Sequence, residues 1–267
     1  MSGPFDIFGL GADPDRPEES PARKAQINSA RPLPKRFFDQ VGVRRSEDPP
    51  GYEITLDDRP VRTPARRAVV MKRMETAEAL ALEWRAQETV IDPKDMPLTR
   101  LVNSALDGVE TQKEAVRSEI AKFAATDLLC YRAETPERLV LRQNAAWDPV
   151  LAYFDTRHGC RFHLAGGIIP VEQPVQSLET VRTLVDGFDD PLQIAALHSL
   201  TTLLGSCLLA LAISEDAISP DEAWAAAHLD EDWNIEQWGA DEEASRRRAY
   251  RYRDFKAALI ALDRNGA

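Results

Sequence analysis

Leu192–Ile213, LQIAALHSLTTLLGSCLLALAI, is the stretch that decides the fold. It carries no charge, and its apolar residues point in every direction around a helix. Such a helix is either the centre of a packed bundle or a membrane span. Its length suits a bilayer, where about 20 apolar residues suffice. Gln193, His198, Ser199, Thr201, Thr202 and Ser206 are, however, many polar groups for one span. No Lys/Arg cluster flanks it to set an orientation across a membrane. The stretch therefore reads as a buried central helix of a soluble helical domain, opened by Pro191.

Working outward, the charge pattern comes next. No Lys or Arg occurs between Arg182 and Arg246. That window holds the uncharged helix and then an acidic segment with three tryptophans, DEAWAAAHLDEDWNIEQWG (Asp221–Gly239). The whole chain, 267 residues with a formal net charge of -11, is acidic throughout its balance. Binding to nucleic acid needs a basic surface and is excluded on that ground. An acidic surface suits a protein partner that presents a basic patch. Cys130, Cys160 and Cys207 sit in apolar or mixed surroundings and read as free thiols of a reducing compartment.

Residues 1–30 read as a flexible tail rich in Pro, Gly and acid. They lack the basic and apolar regions of a secretory signal and are too acidic for a transit peptide. From Arg36 the pattern is that of strands. Tyr52–Leu56 alternates apolar and polar, Asp57-Asp58 turns the chain, and Arg59–Thr63 returns. A helix over Glu75–Gln87 puts Ala77, Leu80, Ala81 and Trp84 on one face. Pro97 opens the next helix, and helical patterns continue to the C-terminus. The predicted fold class is α+β: a small β-rich domain over 31–96 with one helix, then a helical domain over 97–267. No internal repeat is present.

Ser219-Pro220-Asp221-Glu222 has the form of a capping box with Pro in the first turn, and Gly239 fits just past the helix end. Projected as one helix, Trp224, His228, Ile235 and Trp238 share a side. Glu222, Leu229, Trp233 and Glu236 share the opposite one. Only one side can face a core, so the other displays a ring among carboxylates. Aromatic anchors with steering charges fit a protein-binding patch. Trp224, Trp238 and Trp84 are assigned to packing. Glu236, Trp233, Leu229, Glu222 and Asp232 are assigned to the partner. The rival for Glu236 is a helix–helix tie to the Arg246–Arg248 run.

Catalytic signatures are weak. His158, Cys160 and His163 offer ligand types in one loop, but a structural metal needs about four ligands and no Cys-x-x-Cys partner exists. No Gly-rich phosphate loop and no G-x-S-x-G elbow occur. His198 reads as a satisfied core histidine. Two further readings stay open on these residues: a hydrolase using carboxylates or the His158/Cys160/His163 group, and an acidic adaptor for a basic protein.

Several motifs, in order, resemble one family: LDDRPVRTP, LEWRAQ, PLTRLVNSALD, TDLLCYRA, AAWDPVLAYF, GSCLLALA and SPDEAWAAAHLDEDWNIEQWG. They resemble the assembly chaperone of the F-type ATP synthase that binds the alpha subunit of the catalytic head. The resemblance runs from about Leu33 to Leu262. It implies a small β-rich domain and a larger helical one, no catalysis, no cofactor and no nucleotide. It implies a chaperone, expected to be monomeric when free, that holds unassembled alpha subunit until the beta subunit takes over its interface. It marks Glu236 as a residue that matters for activity and Trp84 as one whose loss is damaging. Mitochondrial relatives carry a transit peptide and this chain shows none, so the resemblance points to a bacterial, cytoplasmic member.

Overall fold

The computed structural model describes residues 32–167 and 171–262. The tail expected over residues 1–30 lies outside them. The chain forms two compact units. The first takes residues up to Arg62 and from Ala68 to Thr99. The second takes the short loop Thr63–Arg67 and everything from Arg100 onward.

The first unit is built on strand β2 (Pro50–Leu56). Strand β1 (Val41–Glu47) pairs antiparallel with it along its whole length. On its other edge β2 pairs with β3 (Arg59–Pro60) and β4 (Val70–Met71). Asp57 and Asp58 both take positive φ, 46° and 64°. Two consecutive residues of that kind make the turn whose twist suits a tight hairpin. Asp57 tolerates it because its carboxylate accepts from the backbone N–H of Asp39 and Gln40. Those donors also hold its pKa below the usual range. Alternation along β2 is incomplete, since Thr55 is buried together with Ile54 and Leu56.

Helix α1 (Met74–Arg85) buries Ala77, Leu80 and Ala81, the face that its spacing predicts. Trp84 is half-buried at the end of this row. Its ring meets Phe38 edge-on at 5.8 Å. Next to it, Glu83 reaches the start of α2 (Pro97–Ser104). It accepts from the N–H of Leu98 and Thr99 and from the Thr99 hydroxyl, each at 2.7 Å. Pro97 supplies no N–H at the first helical position, and the glutamate satisfies the orphan donors that follow.

The second unit is helical apart from a two-residue parallel pair, β5 (Tyr131–Arg132) with β6 (Ala165–Gly166). The chain continues from α2 through a π-helical turn (Ala105–Val109) into α3 (Glu110–Lys122). Asp107 of that turn accepts from the Thr63 hydroxyl and the Ala65 N–H. Then come α4 (Glu137–His158), α5 (Val175–Asp186), α6 (Pro191–Leu204), α7 (Cys207–Ser214), α8 (Pro220–Ala227), α9 (Leu229–Trp238) and α10 (Glu242–Leu262).

The charge-free stretch lies at the centre, as its composition requires. Ile194, Leu197, Leu200, Leu204 and every residue from Cys207 to Ile213 are buried. Nevertheless it is two helices, not one. Gly205 stops α6 in the left-handed conformation, φ 64°, which glycine adopts without a Cβ penalty. Ser206 then caps α7, accepting from the Leu209 N–H. Among the described residues no helix is long and apolar enough to cross a membrane. Ser206 also donates to Asp127, which is fully buried at the start of α7. Asp127 accepts in addition from the N–H groups of Leu129 and Leu208. Burial raises its pKa to about 6 against the opposing pull of those donors.

Candidate partner-binding surface

The acidic segment folds as α8 and α9, packed on α4 and α10. Trp147 of α4, 1% exposed, donates its indole N–H to the Ala226 carbonyl at the end of α8. Gln143, one turn earlier, donates to Asp230 at the start of α9. Trp224 packs against Phe255 and Tyr252 of α10 at 4.9 and 5.0 Å. These three anchors fix the direction in which α9 presents its side chains.

The capping box predicted from the sequence is present. Ser219 and Glu222 satisfy one another's backbone reciprocally, and Pro220 opens α8. Glu222 is therefore occupied by its own helix start, and the Ser219 donors hold its pKa low. The continuous projection from residue 222 to residue 238 fails at His228. That residue leaves helical geometry, φ -108° and ψ 14°. Its ring stacks on Trp224 at 3.9 Å, and its Nδ1 sits 2.8 Å from the Trp224 carbonyl. Burial lowers its pKa, so it is neutral and Nδ1 carries the proton toward that carbonyl. At this histidine, which binds back to its own helix, α8 ends and α9 begins at Leu229.

Trp238 departs from the projection. Expected on the packed side with Trp224, it is instead 87% exposed, while Trp224 is 9% exposed. Trp238 is the last residue of α9, with Gly239 at φ 89° behind it, and its ring is left largely uncovered by the described residues. Leu229, Asp232 and Trp233 are half-buried, and Glu236 is exposed. Glu236 does not reach the Arg246–Arg248 run. Both of its oxygens accept from Nη1 of Arg142 on α4, at 2.7 and 2.8 Å, with each side chain about half exposed. The same guanidinium lies 5.1 Å from the centre of the Trp233 ring. Asp232, rather than Glu236, takes Arg248, accepting from both of its terminal nitrogens. Arg142 stands 94 positions from Glu236, and nothing in its own sequence neighbourhood marks it as the partner.

The loop once weighed for metal or nucleophilic chemistry is dispersed. His158 points its Nε2 at Glu215, which also accepts from Tyr153. His163 turns to the Glu172 carbonyl. Cys160 is buried, and burial raises its thiol pKa, so it is held as the unreactive thiol. Among the described residues no group of three or more His, Cys, Asp or Glu is placed to hold a metal. His198 is half-buried, 3.6 Å from Glu119.

Known proteins match this arrangement. The family model described as "ATP12 chaperone protein" matches residues 35–155. A curated relative, "Protein atp12, mitochondrial" of Schizosaccharomyces pombe, is 29% identical over 203 residues, covering 72% of this chain and 69% of its own length. A putative chaperone from Agrobacterium tumefaciens, Atu1473, has a crystal structure that superposes with a TM-score of 0.83. It is 44% identical, with 93% of this chain and 92% of that one covered. Atp12 from Paracoccus denitrificans gives a TM-score of 0.77 at 38% identity, covering 86% of this chain and 97% of its own. With such identity along nearly the full length of solved relatives, and with the sheet-plus-helices order they share, the chain belongs to the ATP12 family of assembly chaperones.

Proposed function

We propose that this chaperone binds the unassembled alpha subunit of the F-type ATP synthase and shields its interface until the beta subunit replaces it. The observation that carries the reading is the end of α9. A tryptophan 87% exposed stands two residues from a half-exposed carboxylate, with no Lys or Arg in the segment itself. A large exposed ring on a monomer marks a contact surface. Ring and carboxylate together fit a partner that offers an apolar patch beside a basic group.

In this reading Glu236, Trp233, Leu229 and Asp232 form the contact. Glu222 stays exposed one helix earlier, while Trp84 and Trp224 serve packing. Trp238 moves to the contact group because its ring is bare. Release must be possible, so ionic terms supply selectivity and speed more than residence time. The same reading puts the free chain in the bacterial cytoplasm as a monomer. The test is capture of purified alpha subunit by the tagged full chain, with and without beta subunit. Capture that beta subunit displaces is expected. No capture from unassembled alpha subunit at low salt would overturn the reading.

A further inference from the structure

Between α8, α9 and α10 lies a cleft of about 630 Å³ whose lining includes Asp221, Trp224, Glu231, Ile235, Arg248 and Tyr252. Its chemistry is specific. Two aromatic rings, Trp224 and Tyr252, form walls with centroids 5.0 Å apart and planes inclined at 65°. Arg248, the cation among these residues, is engaged by both oxygens of Asp232. Asp221 makes one 3.3 Å contact with the Tyr252 hydroxyl. Glu231 is half-buried and makes no side-chain hydrogen bond or ion pair among the described residues. A carboxylate withdrawn partly from water without a partner costs stability. Lys256 rests over the Tyr252 ring at 5.2 Å, so a cation already uses that ring.

We infer that this cleft receives an arginine side chain of the partner, its guanidinium paired with Glu231 and its stem against Trp224 and Ile235. Charge complementarity selects a cation: Asp221, Glu231 and Asp232 stand against Arg248, whose two terminal nitrogens are taken by Asp232, while Glu231 acts on Arg248 only through its charge, without a hydrogen bond or ion pair. The aromatic walls select the planar guanidinium over an ammonium, because it stacks on rings and sheds water more easily. The inference rests on the reading that the partner is the alpha subunit. It adds a second contact, separate from the Glu236 pair, on the other flank of α9.

The experiment measures the affinity of the full chain for purified alpha subunit at two salt concentrations, with Glu231→Gln alongside. Melting of both proteins is recorded first. Because Glu231 makes no side-chain hydrogen bond or ion pair among the described residues, Glu231→Gln is expected to melt close to wild type. It is expected to bind about tenfold more weakly at low salt, with a shallower salt dependence. N-acetyl-arginine amide is then added as a competitor, against N-acetyl-lysine amide at equal ionic strength. The arginine compound should compete better with wild type, and the preference should vanish in Glu231→Gln. Wild-type affinity and salt dependence in Glu231→Gln would overturn the cleft while leaving alpha-subunit binding standing. Tighter binding by Glu231→Gln would mean that the partner offers an anion to Arg248, and equal competition by the two amides would mean that no guanidinium is selected; either overturns it. Failure of wild type itself to bind would instead overturn the reading beneath it.

Discussion

Asp127 and Ser206, 79 positions apart, share a 2.7 Å hydrogen bond in the centre of the helical unit, and neither residue touches solvent. The carboxylate closes the gap between two helices and the segment that precedes β5. Removing it strands the Ser206 hydroxyl and the N–H groups of Leu129 and Leu208. Each stranded buried donor costs about 1–3 kcal/mol. Asp127→Ala is expected to lose about 3 kcal/mol or more of stability, read from urea denaturation.

The same group sets a pH signature. Its folded pKa of about 6 lies above the ordinary 3.8, so the folded state binds the proton more tightly. Its contribution to stability is therefore complete below about pH 4 and is lost as pH rises through 6. Asp127→Asn cannot titrate there. The melting-temperature difference, wild type minus Asp127→Asn, should grow on going from pH 7 to pH 4. A difference that shrinks over that range would mean that the donors, not burial, dominate the site.

Trp84 is expected to matter through packing. Its indole N–H is buried with no hydrogen-bond partner among the described residues, and its ring leans on Phe38. Trp84→Arg brings a cation into that contact and should cost about 2 kcal/mol or more. The soluble fraction should still capture alpha subunit with wild-type affinity per folded molecule. Normal melting with lost capture would place Trp84 in the interface.

Glu236→Lys separates structure from contact. The pair with Arg142 is half exposed, and such pairs contribute about 0–1 kcal/mol. The variant should melt close to wild type but bind alpha subunit at least tenfold more weakly. The charge-swapped double variant, Glu236→Lys with Arg142→Glu, rebuilds the pair and should not restore binding. Recovery of affinity in the double variant would make the pair a structural tie.

Gly205→Ala tests the break in the central stretch. An added Cβ there meets no atom within 4 Å, but φ is 64°. The cost should be the backbone penalty alone, about 1–2 kcal/mol, read as a lowered melting temperature with unchanged capture.

What was legible in the sequence follows its local rules. The capping box at Ser219, the apolar face of α1, the Asp57-Asp58 turn and the buried charge-free stretch all depend on neighbours in the chain. The misreadings came where a distant partner or a single backbone torsion decides. Ser206 looked like a mid-helix hydroxyl because Asp127, its partner, lies far away in sequence. His228 reads as one more helical position, yet its ring binds back and its backbone interrupts the helix. Trp238, the last residue of α9, is left exposed although Ile235 of the same projected side still lines a cleft with Trp224. Arg142 was invisible as the mate of Glu236, since a cation 94 residues distant leaves no spacing to read.

The grip of Asp107 on Thr63 and Ala65 also bears on how such a chain can be inherited. The helical unit owns five residues that are encoded ahead of α1, so the polypeptide crosses between the units three times, after Arg62, Arg67 and Thr99. A recombination breakpoint after Thr99 leaves the loop with the wrong parent. One after Arg62 carries α1 and β4 away from β1 and β2. Neither unit can be traded by a single crossover without breaking the other's contacts, and the pair is bound to descend as one piece.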